Sequence, residues 1–152
     1  MKEISELSAE ERKQFFEVAA YESQKSFEII EKDYWVVWIL ERLFAIPDLE
    51  PHLTFKGGTS LSKVYNIIDR FSEDVDVSIE KKFLGFDDAR DPLKLPSRSK
   101  QKALLEDIVY QCSSYIKGKM LSDLKQSIAE NLGEEQKWQV IVDPNESQTL
   151  LF

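Results

Sequence analysis

The chain has 152 residues, 42% of them hydrophobic and 32% charged, enough for one folded domain and outside the composition of a disordered protein. Its net charge of −8 excludes a protein that grips nucleic acid with its whole surface, while leaving room for a local basic cleft. One cysteine, Cys112, and one histidine, His52, exclude an internal disulfide and a zinc centre of Cys and His ligands.

The acidic start, Met1-Lys2-Glu3-Ile4-Ser5-Glu6, is not a signal peptide. Ser8 with Glu11 reads as a capping box opening a short helix that carries Phe15, Phe16, Val18 and Ala19. A longer helix is predicted from about Ser26 to Phe44, with Phe27, Ile30, Tyr34, Val37, Trp38 and Leu43 at helical spacing and Pro47 as its stop. Lys32, Asp33 and Trp35 fall partly off that stripe; the two charges either line a cleft or are exposed helix charges. The longest apolar run, Trp35 to Leu40, is far too short to span a bilayer, so no membrane contact and a cytoplasmic location are expected.

Leu53-Thr54-Phe55 is a strand candidate broken by Gly57-Gly58. Thr59 to Ile68 reads as a helix beginning near Thr59 or Ser60, with Leu61, Val64, Tyr65 and Ile68 on one face. Val75 and Val77 alternate with Asp74, Asp76 and Ser78, a strand pattern. Phe83 to Ser97 reads as a loop, Ser99 to Lys117 as a helix that buries Cys112, and, after Gly118, Leu121 to Leu132 as another. Lys94, Arg98, Lys100, Lys102, Lys117 and Lys119 fit a solvated helix face. Trp138 to Val142 and Thr149 to Phe152 read as strands around a turn at Asp143-Pro144-Asn145-Glu146. The chain stops within an apolar run, so it is expected to be the N-terminal part of a longer protein. The whole reads as one domain, with a helical part over 8–46 and a core over 53–152.

The chemistry lies in Phe55-Lys56-Gly57-Gly58-Thr59-Ser60-Leu61-Ser62-Lys63 followed by Arg70-Phe71-Ser72-Glu73-Asp74-Val75-Asp76-Val77. A diglycine turn lets a ligand approach the main chain, and free amides at the start of the next helix favour phosphate. The hydroxyl of Thr59 or Ser60 can donate to a phosphate oxygen. On one strand, Asp74 and Asp76 point to one face, and a divalent cation would relieve their repulsion; hard oxygen ligands suit magnesium. A bound metal can bridge triphosphate oxygens. A lone Gly-Gly or Asp-x-Asp is an ordinary turn or solvated edge; the two in this order, with a helix between them, are far more specific.

This arrangement resembles the polymerase-beta-type nucleotidyltransferase signature. More closely, it is similar to the nucleotidyltransferase toxin family of the AbiEii/AbiGii type, from abortive-infection and toxin–antitoxin systems. Glu31-Lys32-Asp33-Tyr34-Trp35 looks like a further family feature, and Gln148 to Phe152 a weaker echo. The resemblance implies an α+β fold, a small mixed sheet flanked by helices. It implies that Asp74 and Asp76 hold Mg2+, that Gly57, Gly58 and Thr59, with Ser60, contact the triphosphate, and that Arg70 and Ser72 shape the strand entry or the nucleotide site. Lys63, one turn past Thr59, either reaches the phosphates or is a solvated lysine. The partners implied are a nucleoside triphosphate, an RNA (tRNA-like) or protein acceptor, and a cognate antitoxin.

Two departures matter. The gap from Gly58 to Asp74 is longer than in the minimal polymerase-beta pattern, though it suits the toxin family. The fold also normally carries a third carboxylate on a later strand; Asp143, read as a turn residue, is the late acid nearest a strand, and the third acid is expected beyond Phe152. Two alternatives to an enzyme follow. One is a truncated or degenerate fold that binds nucleotide or a partner without turnover. The other is an interaction domain using Tyr34, Trp35 and Trp38, aromatics that fit a core better.

Overall fold

The computed structural model describes residues 3–65, 67, 74–87, 90–133 and 138–152. Arg70 and Ser72 lie outside them.

Helix α1 (Ala9–Ser23) starts where the capping box requires: the Ser8 hydroxyl accepts the Glu11 amide at 3.3 Å, and the Glu11 carboxylate accepts the Ser8 amide at 2.9 Å. Helix α2 (Phe27–Phe44) is capped by Ser26, whose hydroxyl accepts the Ile29 amide at 3.4 Å. It ends three residues before Pro47, and the chain then turns inward so that Ile46 and Leu49 enter the core.

Strand β1 (Leu53–Lys56) runs straight into α3 (Gly57–Lys63). That helix opens at the diglycine itself, two residues before the predicted start, and stops at Lys63. Strand β2 (Asp76–Ile79) returns antiparallel to β1, with Leu53 opposite Ile79 and Lys56 opposite Asp76. Leu53, Val77 and Ile79 pack on the core, while Lys56 and Asp76 are exposed.

Helix α4 (Arg98–Tyr115) continues through a wide π turn, Ile116–Met120, into α5 (Leu121–Leu132). The break expected at Gly118 is absent. Ile116, Met120, Leu124 and Ile128, four residues apart, are all buried, so core packing carries the helix past the glycine. Strands β3 (Ile141–Val142) and β4 (Leu150–Leu151) are shorter than predicted and pair antiparallel with each other.

The core joins Trp38, Leu43, Ile46 and Leu49 to the α4–α5 stripe and Val140. Tyr34 and Trp35 pack against it, as the reading of those aromatics as core requires. The helices and small sheets make an α+β arrangement. The mixed sheet is corrected: among the described residues there are two separate two-stranded sheets, both antiparallel. The reason is local. Strand β2 folds back on β1, and the Asp143–Thr149 turn closes β3 on β4, with the Asp143 amide donating to the Thr149 carbonyl at 2.9 Å. Lys94, Arg98, Lys100, Lys102, Lys117 and Lys119 are exposed; Lys102 lies 3.7 Å from Glu106 and Lys119 2.6 Å from Asp123.

Candidate active site

The antiparallel register fixes the first element of the site. With Lys56 opposite Asp76, the next residue of the chain, Gly57, comes against the Asp76 side chain. Gly57 turns with φ +71°, a conformation that costs any residue with a Cβ. A Cβ there would also stand 2.7 Å from Cγ and 2.9 Å from Cβ of Asp76. Glycine is therefore required twice, by the backbone and by the carboxylate that occupies the space a side chain would fill. Gly58 follows as the second residue of α3.

The two hydroxyls that follow point inward. Thr59 is 1% exposed and its hydroxyl donates to the main-chain carbonyl of Asp74. Ser60 is 5% exposed and donates to the Gly57 carbonyl at 2.9 Å. Both protons are thus used within the protein.

Asp76 is the first residue of β2, and Asp74 lies two residues ahead of it, before the ladder begins. Both line an open cleft of about 1690 Å³ between the start of α1, one side of α2, β2, α5 and the β3–β4 hairpin. Among the described residues, neither carboxylate has a hydrogen-bond or ion-pair partner in the protein. Nor is there a cluster of three or more His, Cys, Asp or Glu side chains arranged to hold a metal. The donor set is therefore two exposed carboxylates two residues apart, one held against Gly57. That fits an ion such as magnesium, which takes one or two carboxylates and fills its remaining positions with water and substrate phosphate.

Lys63 pairs with Asp33, so α3 is tied to α2. The side chains are 32% and 33% exposed, a setting in which solvent weakens the attraction. Lys63→Met is expected to lower stability by less than about 1 kcal/mol in a urea melt; a larger loss would show the pair to be a main support of α3. Neither Lys63 nor Asp33 lines the cleft, whereas Lys32, Glu31 and Trp35 do. The off-stripe residues of α2 thus divide between a contact with α3 and the cleft wall.

Asp143 is a turn residue, its carboxylate accepting the Asn145 amide at 2.7 Å. The late acid that does line the cleft is Glu146, whose carboxylate accepts the Thr149 hydroxyl at 3.0 Å. Sequence reading missed it because it sits in the hairpin connection, where no periodicity marks a direction. Arg12, from α1, also lines the cleft and lies over the Trp35 ring at 5.8 Å. Cys112 is half-buried, and burial pushes its thiol pKa up, the opposite of what a nucleophile needs.

A family model described as "Nucleotidyl transferase AbiEii toxin, Type IV TA system" matches residues 38–151. A search of curated proteins and a search of solved structures return no match. The matched span contains the Gly57–Lys63 segment and both aspartates, and leaves Lys32 and Asp33 outside it.

Proposed function

The chain belongs to the AbiEii nucleotidyl transferase toxin family, and from that premise we propose that it is a magnesium-dependent nucleotidyltransferase, the toxin of a toxin–antitoxin pair acting in the cytoplasm. Its core is then polymerase-beta-like, and it moves a nucleotide from a triphosphate to an RNA (tRNA-like) or protein hydroxyl. The observation that carries the reading is the contact between Gly57 and the Asp76 side chain. It joins the two halves of the motif, the diglycine turn and the Asp pair, in one place.

Asp74 and Asp76 would hold the metal, and magnesium, when bound, would neutralise triphosphate charge and favour attack on the alpha-phosphate. In the transfer, the bond from the acceptor oxygen to phosphorus forms as the bond to pyrophosphate breaks, and the acceptor hydroxyl gives up its proton to water. The protein orients Asp76 through Gly57 and β2 and leaves both carboxylates open to the cleft. The cleft exceeds the roughly 300–1,000 Å³ of an ordinary small-ligand pocket, leaving room for a nucleotide and part of an acceptor. No helix among the described residues is long and apolar enough to cross a membrane.

One observation favours a second reading, binding without turnover: among the described residues no group of three or more His, Cys, Asp or Glu side chains is placed to hold a metal. Calorimetry tests what both readings share. Each of the four nucleoside triphosphates is titrated with magnesium into the chain. Heat of binding for at least one, absent in Asp76→Asn, is expected. No binding by the parent chain would sink both.

A further inference from the structure

Asp76 is held by the β1–β2 ladder and by its contact with Gly57, but Asp74 precedes the strand and has no place in the ladder. Among the described residues one hydrogen bond reaches Asp74: its main-chain carbonyl accepts from the Thr59 hydroxyl, fifteen residues earlier on α3. Fixing that carbonyl fixes the peptide plane after Asp74. With that plane held, Asp74 loses part of the backbone freedom that would let its side chain swing away from Asp76. Thr59 is buried, so its hydroxyl has no water to bond instead, and losing the bond would leave the carbonyl free to turn.

We infer that Thr59 is a positioning residue for the carboxylate pair, acting through the Asp74 main chain, and not a direct ligand of the nucleotide. The diglycine turn and the Asp pair are then held in register at two points. Gly57 meets the Asp76 side chain, and Thr59 meets the Asp74 backbone. The inference rests on the proposed metal-binding role of the two aspartates.

The test uses the whole chain and Mn2+, with the free ion followed by electron paramagnetic resonance. Thr59→Ser keeps the hydroxyl and loses the methyl, Thr59→Val keeps the shape and loses the hydroxyl, and Thr59→Ala loses both. Thermal melts report any general loss of fold. Mn2+ affinity is expected to stay within about twofold of the parent in Thr59→Ser and to fall about five- to tenfold in Thr59→Val. Thr59→Ala should bind several-fold more weakly than Thr59→Ser, although both lack the methyl, so the hydroxyl is still isolated if Thr59→Val folds poorly. A merely structural role would lower the melts of Ser and Ala without separating their Mn2+ affinities. Val and Ala variants that bind Mn2+ as the parent does would overturn the inference while leaving the metal site intact. A parent chain that binds no Mn2+, or binds it equally as Asp76→Asn, would overturn the metal reading and this inference with it.

Discussion

Gly57→Ala is expected to reduce nucleotide transfer by about a hundredfold or more while leaving most of the fold in place. Two costs combine. The first is conformational: an alanine at φ +71° carries strain of about 1–3 kcal/mol, which a urea melt would read as lost stability. The second is local: its Cβ cannot coexist with the Asp76 carboxylate where that group now sits. Either the turn or the carboxylate must move by an ångström or more, and a displacement of that size in a reacting assembly costs about a hundredfold in rate. The melt and the transfer assay together separate the two. Lost stability with unchanged transfer would mean that the Gly57–Asp76 contact has no part in the chemistry.

Asp76→Asn is expected to be the more damaging change. Asparagine keeps the size and shape of the side chain, so the contact with Gly57 and the pairing with Lys56 survive. What is lost is a negative oxygen donor, one of two the site offers. Changing residues that merely support metal ligands costs about 10–100-fold in affinity or activity, so losing a direct ligand, the role proposed for Asp76, should exceed about a hundredfold. The melting temperature should hold, because Asp76 is exposed and the substitution keeps its size and shape. Asp74→Asn should act in the same direction. A variant that melts as the parent does and transfers nucleotide at the parent rate would remove Asp76 from the site.

Local chemistry was the part of this molecule legible in the sequence. Ser8 with Glu11 and Ser26 cap their helices through contacts three residues apart, and such contacts are written in the spacing. The Asp143 turn was readable for the same reason. Gly118 misled because the roughly 1 kcal/mol that a glycine costs a helix is outweighed where its neighbours are buried. Here Ile116 and Met120 on either side are buried and carry the helix across.

The order of strand, diglycine turn, helix and Asp-bearing strand was legible in the sequence, and the contacts between those parts were not. Gly57 reads as a residue needing unusual backbone angles, but its meeting with Asp76, 19 positions away, comes from a strand register that pairs Lys56 with Asp76. The hydroxyl of Thr59 has the chemistry to bind phosphate, and only its burial and its bond to Asp74 show where its proton goes. Asp33 and Lys63, thirty residues apart, pair between α2 and α3, a contact that no sequence spacing marks. The clearest sequence hint that α2 does more than pack was the misfit of Lys32, Asp33 and Trp35 with its apolar stripe. In the fold, Lys32 and Trp35 line the cleft and Asp33 meets α3.

The most direct test of the central claim, that the Gly57–Asp76 unit belongs to a working nucleotidyltransferase, is label transfer. The chain is incubated with magnesium, each labelled nucleoside triphosphate and bulk tRNA. Magnesium-dependent label on tRNA or on protein, abolished by a chelator and by Asp76→Asn, is the predicted result. No transfer with any triphosphate, or transfer that survives both the chelator and Asp76→Asn, would contradict the claim.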